Sequence, residues 1–508
     1  MKKLLYVLSL LIIASLALTA CGGAQPAATD EPEPAVTDPV EEPAATEEPA
    51  GTEEPAASGD KVQIRWFVGL GTGTDPAQLP AQEKAVADFN ASQDEVELVL
   101  EVVPFDSARD TLATQIAAGA GPDIIGPVGW GGSNAFYGQW LDLTPYIDSS
   151  GFDTSVYDPA LIEFYQTEEG QVGLPYLVFP AAIYYAPSMF DEAGLEYPPS
   201  AYGESYVLDG EEVEWNWDTL TEVARRLTVD VNGANATDDG FDATQMVQVG
   251  FANQWQTHVN YQASYRAAAA DIVSGDAPGS YESAMPDSWK EANQWVYEGM
   301  WGGEGGQPFM ATGPLAGAPE FGNGNLFNSG KAAMAMTPLW YTCCLDGFRD
   351  AGFEFQAGVL PVGDDGEIHG RVDADTIRIW KGTPNPEEAF AALSYLIGPV
   401  GIETRVVGTD DVPAAYSGLP ANPEYQQPYI DGLLERYPST TAETWEVFKA
   451  GLAYPDNPSA EQWQPNWNEA WARQQTFFDL LQNTPPDQLD FDAEWQKMVD
   501  DLNAIYAK

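Results

Sequence analysis

The sequence predicts an α/β protein whose folded part is built as two lobes. Three observations carry that expectation. Strand-like and helix-like segments alternate early in a β-α-β-α-β order, which implies a mostly parallel sheet with helices on both faces. About 450 residues of the chain have the composition of a folded protein, more than one hydrophobic core usually supports. Composition also changes abruptly at Lys61, after which Trp, Tyr, Phe, Val and Leu become frequent.

The chain begins with Lys2 and Lys3, followed by an almost wholly apolar run at 4–18. At that length the run reads as the core of a signal peptide, not as a stable membrane span. Leu18-Thr19-Ala20-Cys21 then places small residues before a cysteine, which resembles the bacterial lipobox. The resemblance implies a signal peptide at 1–20, lipidation of Cys21 and an extracytoplasmic protein anchored to the membrane. An ordinary signal peptide cut nearby is the alternative. Acyl chains contribute roughly 0.8 kcal/mol per buried methylene, so an anchor of several chains holds firmly. Residues 25–60 contain eleven Asp or Glu and neither Lys, Arg nor any aromatic residue. Such a stretch cannot bury enough surface to offset chain entropy. Proline and like charge extend it. Residues 21–60 are therefore expected to form a disordered acidic tether ahead of a folded domain at 61–508.

Within that domain, Val62–Val68 alternates polar and apolar residues and predicts a strand. A loop follows at 69–80. Residues 81–92 have helical spacing, with Ala85, Val86 and Phe89 on one face. A second strand is expected at 96–103, a helix at 107–118 ended by Gly119, and a short buried strand at 123–126 before a Gly-rich turn. Ligands bind such sheets beyond the carboxyl ends of the strands, here at 69–75 and 127–133. Further on, residues 247–251 predict a strand. Thr219 and Glu222 are spaced as a capping box. Asn385-Pro386 with Glu387 and Glu388 puts proline and acids at a helix start, where the dipole favours them. No second apolar run approaches twenty residues, so the rest of the chain is not expected to span a membrane.

Charge narrows the partners. The chain carries a formal net charge of −57, and the folded part stays strongly acidic without its tether. That argues against nucleic acid and favours neutral or cationic ligands over anionic ones. Cys343 and Cys344 are adjacent, with α-carbons about 3.8 Å apart, below the usual disulfide range. Two packed thiols are expected, with a vicinal disulfide as the alternative in an oxidising compartment. These thiols with His258 and His369 do not make a zinc set. One loop gathers Asp230, Asn232, Asn235, Asp238, Asp239 and Asp242. Oxygen ligands at this density suit Ca2+, although the terminal Glu of an EF-hand is missing. A solvated turn is the plainer expectation; Asp230, Asn232, Asp238 and Asp242 are the candidate ligands of a structural Ca2+. No other cofactor is expected. Gly330-Lys331 lacks the Ser or Thr that ends a P-loop, and no G-x-S-x-G elbow occurs.

Six segments share a resemblance. They are AAGAGPDII (117–125), GQWLDLTPYID (138–148), GQVGLPYLVFPAAIYYAPSMFDEAGLEYPP (170–199), WNWDTLTEVARRLT (215–228), FNSGKAAMAMTPLW (327–340) and TPNPEEAFAALSYL (383–396). In this order they resemble the extracellular solute-binding family that includes maltose-binding protein. The resemblance implies a two-lobe periplasmic-binding-protein fold of type II, with lobe 1 at about 61–175 and 357–400 and lobe 2 at about 180–355 and 400–508. Hinges are implied near 174–176 and 356–358, beside an interlobe cleft. It also implies a monomer that is not an enzyme and that hands a carbohydrate to the transmembrane subunits of an ABC importer.

A sugar presents an apolar face of C–H groups and a rim of hydroxyls, so aromatic planes and charged or amide groups suit it. By the resemblance the contacts are Trp130 after the third strand, Tyr176 and Phe179 in the crossover, Trp255, Trp340 and Trp467. Trp471 is the alternative to Trp467. Asp75, Arg371 and Asp373 are the polar candidates. The family's Gly-Gly near Arg371 is absent, and Ala186 stands where the family usually has Asn. A polyamine or peptide ligand is the alternative within binding proteins. A secreted glycoside hydrolase, which needs only two carboxylates, and a surface adhesin are the alternatives outside them.

Overall fold

The computed structural model describes residues 61–303, 306–409 and 417–508. The signal peptide, Cys21 and the tether expected before Lys61 lie outside the described residues. Five elements open the chain: β1 (Val62–Val68), α1 (Leu79–Ser92), β2 (Val96–Val102), α2 (Phe105–Ala117) and β3 (Ile124–Val128). They match the expected order closely. β1 runs parallel to β2 from Val62 beside Val96 to Val68 beside Val102, and parallel to β3 through Trp66 beside Ile124. The two-residue period of a strand sorts its side chains onto opposite faces. Ile64, Trp66 and Val68 share one core with Phe89 of α1. Phe67 shares the other with Ala108 and Leu112 of α2.

β4 (Leu174–Tyr185) is twelve residues long and buried throughout. Its first half pairs with β9 (Val372–Ile379) and with β10 (Leu419–Pro420). Its second half pairs with β7 (Ala332–Pro338) and β8 (Gln356–Gly358). The change of neighbours falls between Pro180, opposite Val372, and Ala181, opposite Pro338. Beyond β7 the sheet continues through β6 (Met246–Asn253), which is parallel to β7, to β5 (Val229–Asp230). One ten-stranded sheet results, in the order β2-β1-β3-β9-β4-β7-β6-β5, with β8 and β10 also on β4. The sheet is mixed, not mostly parallel. Strands reached by βαβ crossovers run parallel, whereas β4 and β9 pass between the two halves and lie antiparallel to their partners.

Two helix starts show how local sequence acts. α5 (Trp217–Leu227) is capped by Asn216, whose side chain accepts from the Thr219 amide at 3.0 Å. The expected box on Thr219 is displaced because Asn216 holds the extended residue just before the helix, while the Thr219 hydroxyl donates to the Glu214 carbonyl at 2.7 Å. α8 (Pro386–Ile397) begins as expected, with proline in its first turn and Glu387 and Glu388 beside it. Further helices along the chain are α3 (Trp130–Ser133), α4 (Pro187–Ala193), α6 (Val259–Arg266), α7 (Asp287–Trp301), α9 (Gln426–Arg436), α10 (Ala442–Gly451), α11 (Trp467–Asn483) and α12 (Phe491–Tyr506). Among the described residues, no single helix is long and apolar enough to cross a membrane.

Candidate ligand-binding cleft

Strands that end together bring the loops after them together. The ends of β1 and β3 open into a cleft of about 860 Å³. One wall is polar and comes from Thr72 and Asp75 after β1, from Gly129 and Gly131 after β3, and from Asp106, Arg109 and Asp110 at the start of α2. At Gly131 the Glu461 carboxylate comes close to the backbone, and a β-carbon there would stand 2.7 Å from one of its oxygens, so any larger residue would make the Glu461 side chain shift.

The facing wall is aromatic. Trp255 follows β6, Tyr261 lies on α6, Trp340 lies in the turn after β7, and Trp471 lies on α11. The Trp255 and Trp340 rings are stacked with centroids 6.2 Å apart and planes 13° apart. Trp255 is 42 % exposed and holds φ at +59°. A bulky side chain in that region costs of order 1–3 kcal/mol, and such strain clusters at functional sites. Behind Trp471, the His258 ring stacks at 3.7 Å. Burial pushes the His258 imidazole down to about 3, aided by Arg371 and Arg109, so it stays neutral.

The floor is charged. Arg371 is 2 % exposed and lies 3.6 Å over the Tyr261 ring. It pairs with Asp373 at 2.7 Å and with Glu461 at 3.3 Å, and it donates to the Gln256 side chain. The Trp340 indole N–H donates to the second Asp373 oxygen at 2.9 Å, so the wall and the floor are one network. Glu461 accepts from the Gly131 amide at 2.7 Å and from the Tyr261 hydroxyl at 2.7 Å, and so ties the glycine turn to α6. Asp375 accepts from the Thr72 hydroxyl at 3.2 Å. Burial lifts the Asp373 carboxyl above the usual range while Arg371 pulls it back. Burial pushes Asp375 up to about 7, with the Thr72 bond opposing and Glu461 reinforcing.

Of the residues expected from the sequence, Asp75, Phe179, Trp255, Trp340, Arg371 and Asp373 meet at this cleft. Three do not. The Trp130 indole packs against Phe164 and Tyr165, under the Arg378 guanidinium at 4.5 Å. It lines a different cavity, of about 1080 Å³; the helical turn of α3 offers Gly131 to the cleft and sends Trp130 elsewhere. Tyr176 is fully buried, with the Arg405 guanidinium 4.8 Å over its ring. Trp467 is buried and stacks on Trp471 at 4.6 Å, so it supports the cleft residue from behind.

Arg109, Gln256, Tyr261, Asp375 and Glu461 were missed. Asp375 stands two residues from Asp373, and strand period alone puts it on the same face. Glu461 lies in a loop without any periodic signal. The two cysteines are also corrected: Cys343 and Cys344 form a vicinal disulfide in place of two packed thiols. In the oxygen-rich loop, Asp230 accepts from the amides of Asn232, Ala234 and Asp242 at 2.8–3.0 Å. Asp238 accepts from the Asn235 amide, and Asp242 accepts from Thr244. These carboxylates organise their own turn, and Asn232 serves it through both its backbone amide and its side-chain amide, which donate to Asp230. Among the described residues, no group of three or more His, Cys, Asp or Glu is placed to hold a metal ion.

Comparison with known proteins is consistent with this geometry. A family model described as bacterial extracellular solute-binding protein matches residues 72–403. A protein of Brucella abortus, named as a candidate binding protein, is 23% identical over 329 residues, covering 62% of this chain and 68% of its own. Among solved structures, the ABC substrate-binding protein of Listeria monocytogenes in complex with cycloalternan is 20% identical, with a TM-score of 0.62 over 88% of this chain and 99% of that one. The cyclic α-maltosyl-1,6-maltose binding protein of Arthrobacter globiformis is 18% identical, with a TM-score of 0.59 over 88% and 99%. The maltotriose binding protein of Thermus thermophilus, bound with maltotriose, is 14% identical, with a TM-score of 0.54 over 87% and 99%. At these identities the likeness establishes the fold, an α/β architecture of two lobes.

Proposed function

The chain belongs to the bacterial extracellular solute-binding protein family, and from that premise we propose that it is the extracytoplasmic receptor of an ABC importer, holding a mono- or oligosaccharide in the cleft and delivering it to the permease. One observation carries the saccharide reading. The stacked Trp255 and Trp340 rings line the same cleft as hydroxyl, carboxylate and guanidinium groups. That amphipathic cleft matches a ring with an apolar face and a hydroxyl rim. Structural relatives whose names state their ligands hold cycloalternan, maltotriose or maltose, and this supports the class without naming the sugar.

Capture follows from the shared strand. Lobe 1, at about 61–175 and 357–400, and lobe 2, at about 180–355 and 400–508, swing about the segment where β4 changes partners. Closure of hinged bodies buries the ligand and presents a new surface to the permease. Lipidated Cys21 holds the monomer at the membrane. The ligand leaves chemically unchanged, because the task is binding and release, not turnover.

A cationic ligand such as a polyamine is the second reading. The observation that favours it is the surplus of carboxylates at the floor, where Asp373 and Glu461 both pair with Arg371 and Asp375 adds a third carboxylate to the lining. Thermal-shift screening against saccharides, polyamines and peptides separates the readings. A saccharide hit recovered intact after incubation supports a sugar receptor; stabilisation by amines alone, or cleavage of the sugar, overturns it.

A further inference from the structure

The vicinal disulfide lies in the wall of the ligand cleft. Cys343 and Cys344 are bonded to each other, and both line the cleft beside Trp340. The turn that carries them, Leu339–Cys344, has two sides. Leu339, Tyr341 and Thr342 face inward and are buried. They are fastened there: the Tyr437 hydroxyl donates to the Thr342 carbonyl at 2.6 Å, the Thr342 hydroxyl donates to the Leu339 carbonyl at 3.0 Å, and the Tyr341 hydroxyl donates to the Asn325 side chain. Trp340, Cys343 and Cys344 take the opposite side and are half-buried at the cleft.

Chemistry distinguishes the bridge from two thiols. Each thiol brings a weak S–H donor. The bridge brings none, and its two sulfurs are soft, polarisable and apolar. They continue the surface begun by the stacked rings of Trp255 and Trp340. Thr72, Asp75 and Arg109 line the same cleft, along with Phe105, so the cleft offers a ligand both apolar and polar surface.

We propose that the Cys343–Cys344 bridge is a ligand contact, an apolar plate beside Trp340 that covers the C–H face of a saccharide ring and makes affinity depend on the bridge being closed. The proposal rests on the saccharide reading and adds the surface that recognises the ring. Opening the bridge separates the sulfurs and adds two S–H groups to the plate. A phosphine reductant does this in balance: phosphorus attacks one sulfur, the S–S bond breaks, water supplies the oxygen of the phosphine oxide, and both cysteines end as thiols.

The test uses maltose, maltotriose and acarbose as probes, titrated by calorimetry into three forms of the whole folded chain. These are the oxidised protein, the same protein reduced with tris(2-carboxyethyl)phosphine, and the double variant Cys343→Ala/Cys344→Ala. Alkylation and mass spectrometry count the thiols. The oxidised form should bind at least one probe about tenfold more tightly than the other two forms, the change expected for uncovering a small apolar patch. A saturating probe should also slow reduction of the bridge, because a ligand lying on the sulfurs shields them. A bridge that only props the turn from behind would not be shielded. Equal affinity in all three forms, or reduction unaffected by a bound probe, overturns the proposal while leaving the receptor reading intact. Failure of every probe to bind the oxidised form overturns the proposal for these saccharides, while the screen against saccharides, polyamines and peptides decides the receptor reading separately. If the variant does not fold, the reduced wild-type protein still decides the matter.

Discussion

Trp340 joins the two kinds of surface in the cleft, since its face stacks on Trp255 and its N–H holds Asp373. Replacing it, Trp340→Ala, removes the stacking plane and frees a floor carboxylate. We expect ligand affinity to fall by roughly ten- to a hundredfold, the loss usual for a buried aromatic anchor, measured by calorimetry with a ligand from the screen. Asp375 supplies a pH signature. Its carboxyl is pushed up to about 7 by burial, against about 4 in an unfolded chain. The folded protein therefore binds more protons at this site between those values, and its stability contribution, full below the lower value, is lost as pH rises through the upper one. Asp456 follows the same sign, raised by burial to about 6 with Arg371 opposing. Asp375→Asn should raise the melting temperature above that of wild type at pH 7.5 and match it near pH 4. Parallel melting curves across that window would contradict the assignment.

Elements decide what each residue can reach. β9 alternates, and with Arg371 just before it the strand offers Arg371, Asp373 and Asp375 to the ligand cleft and Val372 and Ala374 to the other cavity. One strand thus forms the floor of two spaces. The helix α5 lies close on β6 because Gly250 has no side chain; a β-carbon there would run into the Ala224 carbonyl. Overpacking of this kind moves backbone, so Gly250→Ala should destabilise the protein by about 3 kcal/mol, read as a lower denaturant midpoint at unchanged slope. The fold's opening was legible at this scale. Periods of two and 3.6 residues are local signals, and β1, α1, β2, α2 and β3 fell where those signals put them. The site was legible in part. Trp340 belongs to a segment with a recognisable pattern, Arg371 and Asp373 were placed although the family's Gly-Gly beside them is absent, and Glu461 belongs to a loop that no pattern marks. Trp130 shows the limit most directly. Its position after β3 was read correctly, but the direction of its indole is set by the turn of α3.

At the scale of the molecule, both halves of the sheet hang on β4. Its first half belongs with β9 and β10 and its second with β7 and β8. Ligand binding that closes the halves should lower the radius of gyration, measured by small-angle scattering with and without saturating ligand; an unchanged scattering curve would argue against hinge closure. The same binding should stabilise the folded state by about 2.7 kcal/mol at a free concentration one hundred times Kd. The net charge of −57 acts here too. It keeps the chain soluble and disfavours anionic ligands, but a field of that kind does not select one neutral sugar from another.

Sequence alone determined the class of fold, the family and the chemical character of the ligand surface, because periodicity, composition and ordered motifs are properties of neighbouring residues. Tertiary structure alone decided which aromatic rings line the cleft and which sit in the core. It also decided that Asp373, Glu461 and Arg371 share one network, and that Cys343 and Cys344 are bonded to each other in the wall of the cleft. The physical reason is distance along the chain. Glu461 and Gly131 are separated by 330 residues, and nothing local to either carries the position of the other.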